Sequence, residues 1–362
     1  MRNHLQHIQQ KLDERKANNA LRELKVNNNL VDFCSNDYLG FAKEAEIHQV
    51  DLQQSYGSTG SRLISGNNRI TEETEAHLAA FYDAESALVF NSGYNANLGF
   101  FSCVPERGDT ILYDELIHAS IRDGIRLSHA NSYSFKHNDL GSLRTKLEKA
   151  KGKSYLVVES IYSMDGDEAP LAEMAKLCEE FGIALVVDEA HAVGVFGEGR
   201  GLVAELNLEE KVFARIITFG KAYGAHGAAI LGDKRLKDYL INFARPLIYT
   251  TALPLNNIIA IRKAHDFLLD NTGRIQLLNE RIAKFTKEFS GQLILSRSAI
   301  QCMVISGNNA VKAKAKQIQA LGLDVRPILS PTVEKGKERL RICLHSFNSE
   351  DEINQLVKAL KE

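Results

Sequence analysis

The sequence predicts an α/β fold: a large domain with a mostly parallel sheet flanked by helices, and a smaller α+β C-terminal domain. Three observations predict it. Between about residues 85 and 231, short apolar runs alternate with helical patterns, as in strands joined by crossover helices. Those runs are continuous rather than alternating, which suits strands buried on both faces. In the last third the rhythm changes to a long helical stretch followed by two strand–helix pairs.

In chain order, Leu5, Ile8, Leu12 and Leu21 recur at roughly helical spacing on a charged background, so residues 1–24 read as an amphipathic opening helix. The strand candidates are Ala87–Phe90, Thr110–Tyr113, Tyr155–Val158, Ala184–Val187, Ile216–Phe219 and Ala228–Leu231. The helical candidates between them are 95–101, 118–128, 139–150 and 170–180. A helical stretch then covers 255–290, followed by a strand at Gln301–Ile305, a helix at 309–321, a strand at Leu340–Leu344 and a closing helix at 350–361. This pattern divides the chain into an N-terminal helix and arm (1–40), a large α/β domain (41–275) and a small α+β domain (276–362).

The 362 residues are 44% hydrophobic and 25% charged, enough apolar material for a sizeable core. Lys and Arg total 44 against 46 for Asp and Glu, a net charge of −2. That balance lacks the basic excess expected of a nucleic-acid or membrane-surface protein. The cysteines Cys34, Cys103, Cys178, Cys302 and Cys343 are odd in number and widely spaced, which argues against a disulfide framework or a zinc site. The start, MRNHLQHIQQKLDERK, has no apolar signal core, and the longest apolar runs are strand-sized. The expectation is a soluble cytoplasmic protein with no nucleic-acid partner, no membrane span and no metal.

Asp188-Glu189-Ala190-His191 follows the run Leu185–Val187 and spells a nucleotide-hydrolase motif. That reading also requires a phosphate loop of the form G-x-x-x-x-G-K-[ST] between a strand and a helix. The nearest candidate, Gly152-Lys153-Ser154, has Leu147 where the first glycine belongs and precedes a strand. A second reading uses the same aspartate differently. Asp188 and His191 stand at the carboxyl end of a strand, where open α/β sheets bind ligands. Downstream, the run Ile216–Phe219 leads into Gly220-Lys221-Ala222-Tyr223-Gly224, which presents a lysine just past a second strand end.

Together these residues suit pyridoxal 5′-phosphate, which needs a lysine for a Schiff base, an acid against its pyridine nitrogen and a phosphate cradle. Lys221 is the candidate lysine and Asp188 the candidate acid, with His191 placed to reach the phenolic oxygen. Asn91-Ser92-Gly93-Tyr94-Asn95, between a strand and a helix, offers backbone amides for the phosphate, and Gly93 permits close approach.

These motifs resemble the α-oxoamine synthases, a branch of the fold type I pyridoxal-phosphate enzymes. The resemblance runs from about Arg22 to the C-terminus. It is carried by Phe33-Cys34-Ser35-Asn36-Asp37-Tyr38-Leu39-Gly40, Gly60-Ser61-Arg62-Leu63-Ile64-Ser65-Gly66, Ser163-Met164-Asp165-Gly166-Asp167, Val187-Asp188-Glu189-Ala190-His191 and Thr218-Phe219-Gly220-Lys221-Ala222-Tyr223-Gly224. It implies that Lys221 carries the cofactor and acts as general base, Asp188 pairs with the pyridine nitrogen, and His191 lies near the phenolic oxygen. It implies that His118 stacks on the ring, that Gly93 and Tyr94 hold the phosphate, and that Ser163 and Thr218 contact the cofactor. Thr250 and Thr251 match a stretch that reaches the phosphate of a neighbouring subunit, which implies a homodimer with the active site at its interface.

Arg341 matches the arginine that grips the amino-acid carboxylate, a role that bidentate pairing suits. Arg22 and Asn36 match positions near the acyl substrate. The implied activity is a decarboxylative C-acyltransfer of biotin synthesis, between L-alanine and a pimeloyl thioester on coenzyme A or acyl carrier protein. Ser35-Asn36-Asp37-Tyr38 favours that branch over those using glycine with acetyl- or succinyl-CoA, or serine with a long acyl chain. The sequence departs from the family pattern at Thr59, where a glycine is usual, and at Thr71 and Thr74, where histidine and leucine are common. Those departures leave the residues of the acyl tunnel unassigned.

Overall fold

The computed structural model describes residues 2–24, 26, 29–49, 57–289, 291 and 293–362. Of these, the residues within Asn36–Ser163 and Glu168–Gln276 form one compact unit, and those within Met1–Ser35, Met164–Asp167 and Leu277–Glu362 form another.

The larger unit is built on seven strands: β1 (Ser86–Phe90), β2 (Thr110–Asp114), β3 (Asn131–Phe135), β4 (Ser154–Glu159), β5 (Ala184–Asp188), β6 (Ala214–Thr218) and β7 (Ala228–Gly232). Their order in the sheet is β1-β7-β6-β5-β4-β2-β3. Strands β3, β2, β4, β5 and β6 run parallel, and β7 is antiparallel to both β6 and β1. The carboxyl ends of β1, β2, β4, β5 and β6 therefore share one edge of the sheet. The expected runs become strands because their β-branched and aliphatic residues are buried on both faces, all of β1, β4 and β6 being inaccessible.

Strand β3 was not expected. Its sequence, Asn131-Ser132-Tyr133-Ser134-Phe135, contains no apolar run, and its first four residues are exposed. A short polar strand suits a sheet edge, where an apolar one would invite pairing with other chains.

Helices Gly93–Cys103, Ala119–Leu127, Leu140–Leu147 and Leu171–Phe181 connect the parallel strands. Phe90, Phe100, Ile111, Ile121, Val157 and Ile216 belong to one buried cluster between the sheet and the first two of these helices. Helices Gly93–Cys103 and Ala119–Leu127 approach closely at Gly124. A Cβ there would lie 2.8 Å from the Phe101 Cβ and 3.0 Å from the Asn97 carbonyl oxygen. Glycine thus brings Asn97 of one helix within reach of Ser120 of the other.

The stretch expected as one helix over 255–290 forms two, Leu255–Asp270 and Gly273–Glu288. The side chain of Asn271 turns back to the Phe267 carbonyl at 2.9 Å, competing with helix propagation at the break. The opening helix is shorter than the 1–24 expected. It ends at Ala17, leaving Leu21 outside, and Leu5, Ile8 and Leu12 stay exposed.

In the smaller unit, Arg339–Cys343 is the centre of a three-stranded antiparallel sheet, flanked by Ile300–Val304 and Arg326–Ile328. Helix Glu350–Lys361 opens with a reciprocal cap between Ser349 and Glu352. Val31–Asp32 pairs in parallel with Leu323–Asp324, which joins the N-terminal segment to this unit. Among the described residues no helix is long and apolar enough to cross a membrane.

A buried polar cluster in the larger unit makes stability depend on pH. His265 is fully inaccessible and stacks on Tyr223 at 4.0 Å. Its Nδ1 donates to the Ile261 carbonyl at 2.7 Å, leaving Nε2 as acceptor for the Tyr82 hydroxyl at 3.0 Å. Burial, chiefly, holds its pKa down to about 3. Between its ordinary value of 6.5 and about 3, the unfolded chain binds a proton that the folded chain refuses. This group's contribution is therefore complete above that window and declines as pH falls through it, by up to about 1.4 kcal/mol per pH unit. Urea unfolding from pH 7 to 4 is expected to show the native chain losing its advantage over a His265→Gln variant as pH falls. Parallel stability curves for the two chains would contradict this account.

Candidate active site

Five strand ends deliver the polar groups of one cluster in the larger unit. Asp188 is the last residue of β5 and Thr218 the last of β6. Lys221 follows β6 in a tight turn closed by Gly224 N–H donating to the Lys221 carbonyl at 2.9 Å. Gly93 opens a helix just past β1, and His118 caps the helix that follows β2. Glu159 ends β4, paired in register with Asp188. This is the carboxyl edge at which open α/β sheets assemble their sites.

The first hydrogen-bonded chain starts at Lys221. Its Nζ lies 2.7 Å from His191 Nε2, and His191 Nδ1 lies 2.7 Å from the Tyr38 hydroxyl. Tyr38 donates onward to Asn36 Oδ1 at 3.2 Å. With the Tyr38 proton committed to Asn36, His191 Nδ1 is the donor and Nε2 the acceptor. The imidazole is thus held in the tautomer that receives a proton from the lysine.

The second chain is centred on Asn97, which is buried. Its Nδ2 donates to Asp188 Oδ2 at 2.8 Å and to Ser120 Oγ at 3.0 Å. Ser120 Oγ lies 2.7 Å from His118 Nδ1, which also accepts from the Ser120 amide at 3.2 Å. The Ala190 amide donates to Asp188 Oδ1 at 2.9 Å. Both oxygens of Asp188 therefore receive donors suited to a carboxylate. Burial holds the His118 pKa below its ordinary value, against the pull of Asp188, so the ring is neutral with Nδ1 as acceptor.

Glu189, the second acid of the hydrolase-like motif, faces elsewhere. It forms a buried ion pair with Arg215 at 2.7 Å and accepts from the Val203 amide at 2.9 Å. The acidic pair is thus divided between two environments, which leaves it unsuited to joint magnesium binding.

The candidate phosphate cradle is the start of helix Gly93–Cys103. Ser92 caps it by accepting from the Asn95 amide at 3.2 Å, while the Gly93 and Tyr94 amides lie in the first turn, which has no intrahelical acceptors. A Cβ on Gly93 would stand 3.6 Å from the Thr218 Cβ and 3.7 Å from its Oγ1, so the Thr218 side chain lies next to this turn. A pyridoxal phosphate group fits this donor set: an amine, a buried carboxylate with both oxygens fixed, a neutral imidazole and a helix N-terminus that begins with glycine.

Tyr94 is exposed, with its ring edge-on to His118 at 6.5 Å and its hydroxyl bonded to Asp123. Ser163 and Thr218 are buried. Thr251 accepts from the Asn91 side chain at 2.8 Å through its carbonyl, within one chain, and Thr250 precedes it. Arg22 and Arg341 belong to the smaller unit. Arg341 lies buried on Arg339–Cys343, and Arg22 donates to Thr332 Oγ1 at 3.0 Å.

Sequence reasoning missed Tyr38, Asn97, Ser120 and Glu159 as site residues. A readable signal existed for Asn97, an amide between buried Ala96 and Phe100 on an otherwise apolar helix face. Glu159 likewise ends an apolar run just as Asp188 does.

Residues 28–360 match the family of class I and II aminotransferases. The 8-amino-7-oxononanoate synthase of Emericella nidulans is 38% identical over 365 residues, covering 91% of this chain and 88% of that protein. The serine palmitoyltransferase of Sphingomonas wittichii superposes with a TM-score of 0.86 at 29% identity, over 91% of this chain and 86% of that one. The 8-amino-7-oxononanoate synthase of Francisella tularensis superposes with a TM-score of 0.80 at 30% identity, over 92% of this chain and 97% of that one.

Proposed function

Because the chain belongs to the class I and II aminotransferase family, and within it to the pyridoxal-phosphate-dependent α-oxoamine synthases of fold type I, we propose that it condenses L-alanine with a pimeloyl thioester. The products are 8-amino-7-oxononanoate, carbon dioxide and the free carrier, coenzyme A or acyl carrier protein, as a step of biotin synthesis. The observation that carries this reading is the near-full-length likeness to 8-amino-7-oxononanoate synthases. Ser35-Asn36-Asp37-Tyr38 points the same way.

When bound, pyridoxal phosphate supplies the electron sink that stabilises negative charge at the amino-acid Cα. Lys221 Nζ would hold the cofactor and, once released, take the Cα proton, with His191 Nε2 beside it as acceptor. Asp188 would keep a proton on the pyridine nitrogen, its own oxygens steadied by Asn97 and the Ala190 amide. His118 would lie against the ring, neutral and oriented by Ser120. The Gly93 and Tyr94 amides would take the phosphate, with Ser163 and Thr218 beside it. Arg341 would grip the alanine carboxylate, and Arg22 and Asn36 would border the acyl chain. Thr250 and Thr251 would reach the phosphate of a second copy in a homodimer.

A second reading, serine with a long acyl thioester, is favoured by the high structural likeness to serine palmitoyltransferase. Free-thiol release from pimeloyl-CoA separates the two. It is expected to require pyridoxal phosphate and to run about tenfold or more faster with alanine than with glycine or serine, since one methyl or hydroxyl changes a pocket's preference by that order. Faster release with serine and palmitoyl-CoA would replace the first reading with the second.

A further inference from the structure

We propose that Glu159 is a buried neutral acid beside Asp188, which leaves the negative charge of the Glu159–Asp188 pair on Asp188. The inference rests on the cofactor pocket described above, and nothing in the proposed chemistry uses this side chain.

The geometry is that of the sheet. Glu159 and Asp188 are register partners on adjacent parallel strands, so their side chains leave the same face about 5 Å apart. Glu159 is 3% exposed. Its Oε1 has no hydrogen-bond partner.

The charged groups acting on Glu159 are Asp188 on β5 and Lys221 beyond β6. Two neighbouring carboxylates in a water-poor site cannot both ionise cheaply, so one proton stays with the pair. Asp188 has a donor on each oxygen, whereas Glu159 keeps one oxygen unpartnered, so the proton rests on Glu159. Burial first, and the Asp188 charge second, raise the Glu159 pKa to about 8, against the opposing charge of Lys221. At neutral pH the pocket then contains an undissociated acid next to a carboxylate, and above pH 8 it gains a second negative charge.

The test compares native holoenzyme with Glu159→Gln. Difference infrared spectra of native against Glu159→Gln at pH 6.5 are expected to contain the carbonyl band of a protonated carboxylic acid, fading as pH rises through about 8. Cofactor dissociation constants are expected to stay within about threefold for Glu159→Gln, which keeps the shape and stays neutral. An absent or non-titrating band overturns the proposal, as does a Gln variant that binds cofactor more than about tenfold more weakly than the native holoenzyme. If the band titrates and the Gln variant binds while no acyltransfer is found, the substrate reading fails and this inference stands.

Discussion

The Lys221→Ala chain is expected to bind pyridoxal phosphate only noncovalently and to lose turnover by about 10³-fold or more. General-base action alone is worth 10²–10⁴ in rate, and this variant also loses the covalent tether. Lys221 is half-buried, and its amine is directed at His191 Nε2 at 2.7 Å. No other lysine amine is placed on that imidazole among the described hydrogen bonds. Borohydride treatment followed by mass spectrometry is the direct check. The native chain should gain the mass of a reduced cofactor adduct on the peptide containing Lys221, and the variant should gain none. Full turnover by the variant would remove Lys221 from the chemistry.

Asp188→Asn is expected to lower turnover by about 10²- to 10³-fold, the order that follows from removing one partner of a buried charge pair. The substitution is nearly isosteric, so the loss is electrostatic. A neutral amide cannot hold a proton on the pyridine nitrogen. It also presents an N–H₂ group where both existing neighbours, Asn97 Nδ2 and the Ala190 amide, are donors. One of those two contacts becomes donor against donor whichever way the amide is turned. A rate within threefold of native, measured with saturating cofactor, would show that the carboxylate charge is not needed.

The fold was readable to the extent that burial is written as apolar periodicity. Thr110–Asp114, Ser154–Glu159 and Ala184–Asp188 extend the expected runs by only a residue or two, because a strand buried on both faces has no alternative composition. Strand β3 escaped because an edge strand with exposed Asn131, Ser132, Tyr133 and Ser134 has nothing apolar to announce it. The break between Asp270 and Gly273 escaped because helical periodicity continues on both sides of it.

Lys221, Asp188, His191 and Gly93 were readable because each is a chemically distinctive residue just past an apolar run, and a strand end of an α/β sheet is where such residues meet ligands. Asn97, Ser120 and Glu159 required coordinates. Asn97 reaches Asp188 across 91 residues and Ser120 across 23, and those meetings depend on which strands are neighbours and how closely two helices approach at Gly124.

By itself, the sequence determined the α/β class, the positions of the buried strands and that Lys221, Asp188 and Gly93 stand at or just past their ends, because apolar burial and backbone chirality are local consequences of residue type. Only the tertiary structure decided the strand order β1-β7-β6-β5-β4-β2-β3, and with it the register that sets Glu159 beside Asp188. It also decided the two hydrogen-bonded chains that orient His191 and His118. A hydrogen bond works only within about 3 Å along a fixed direction, and the distance between residues remote in sequence is set by packing.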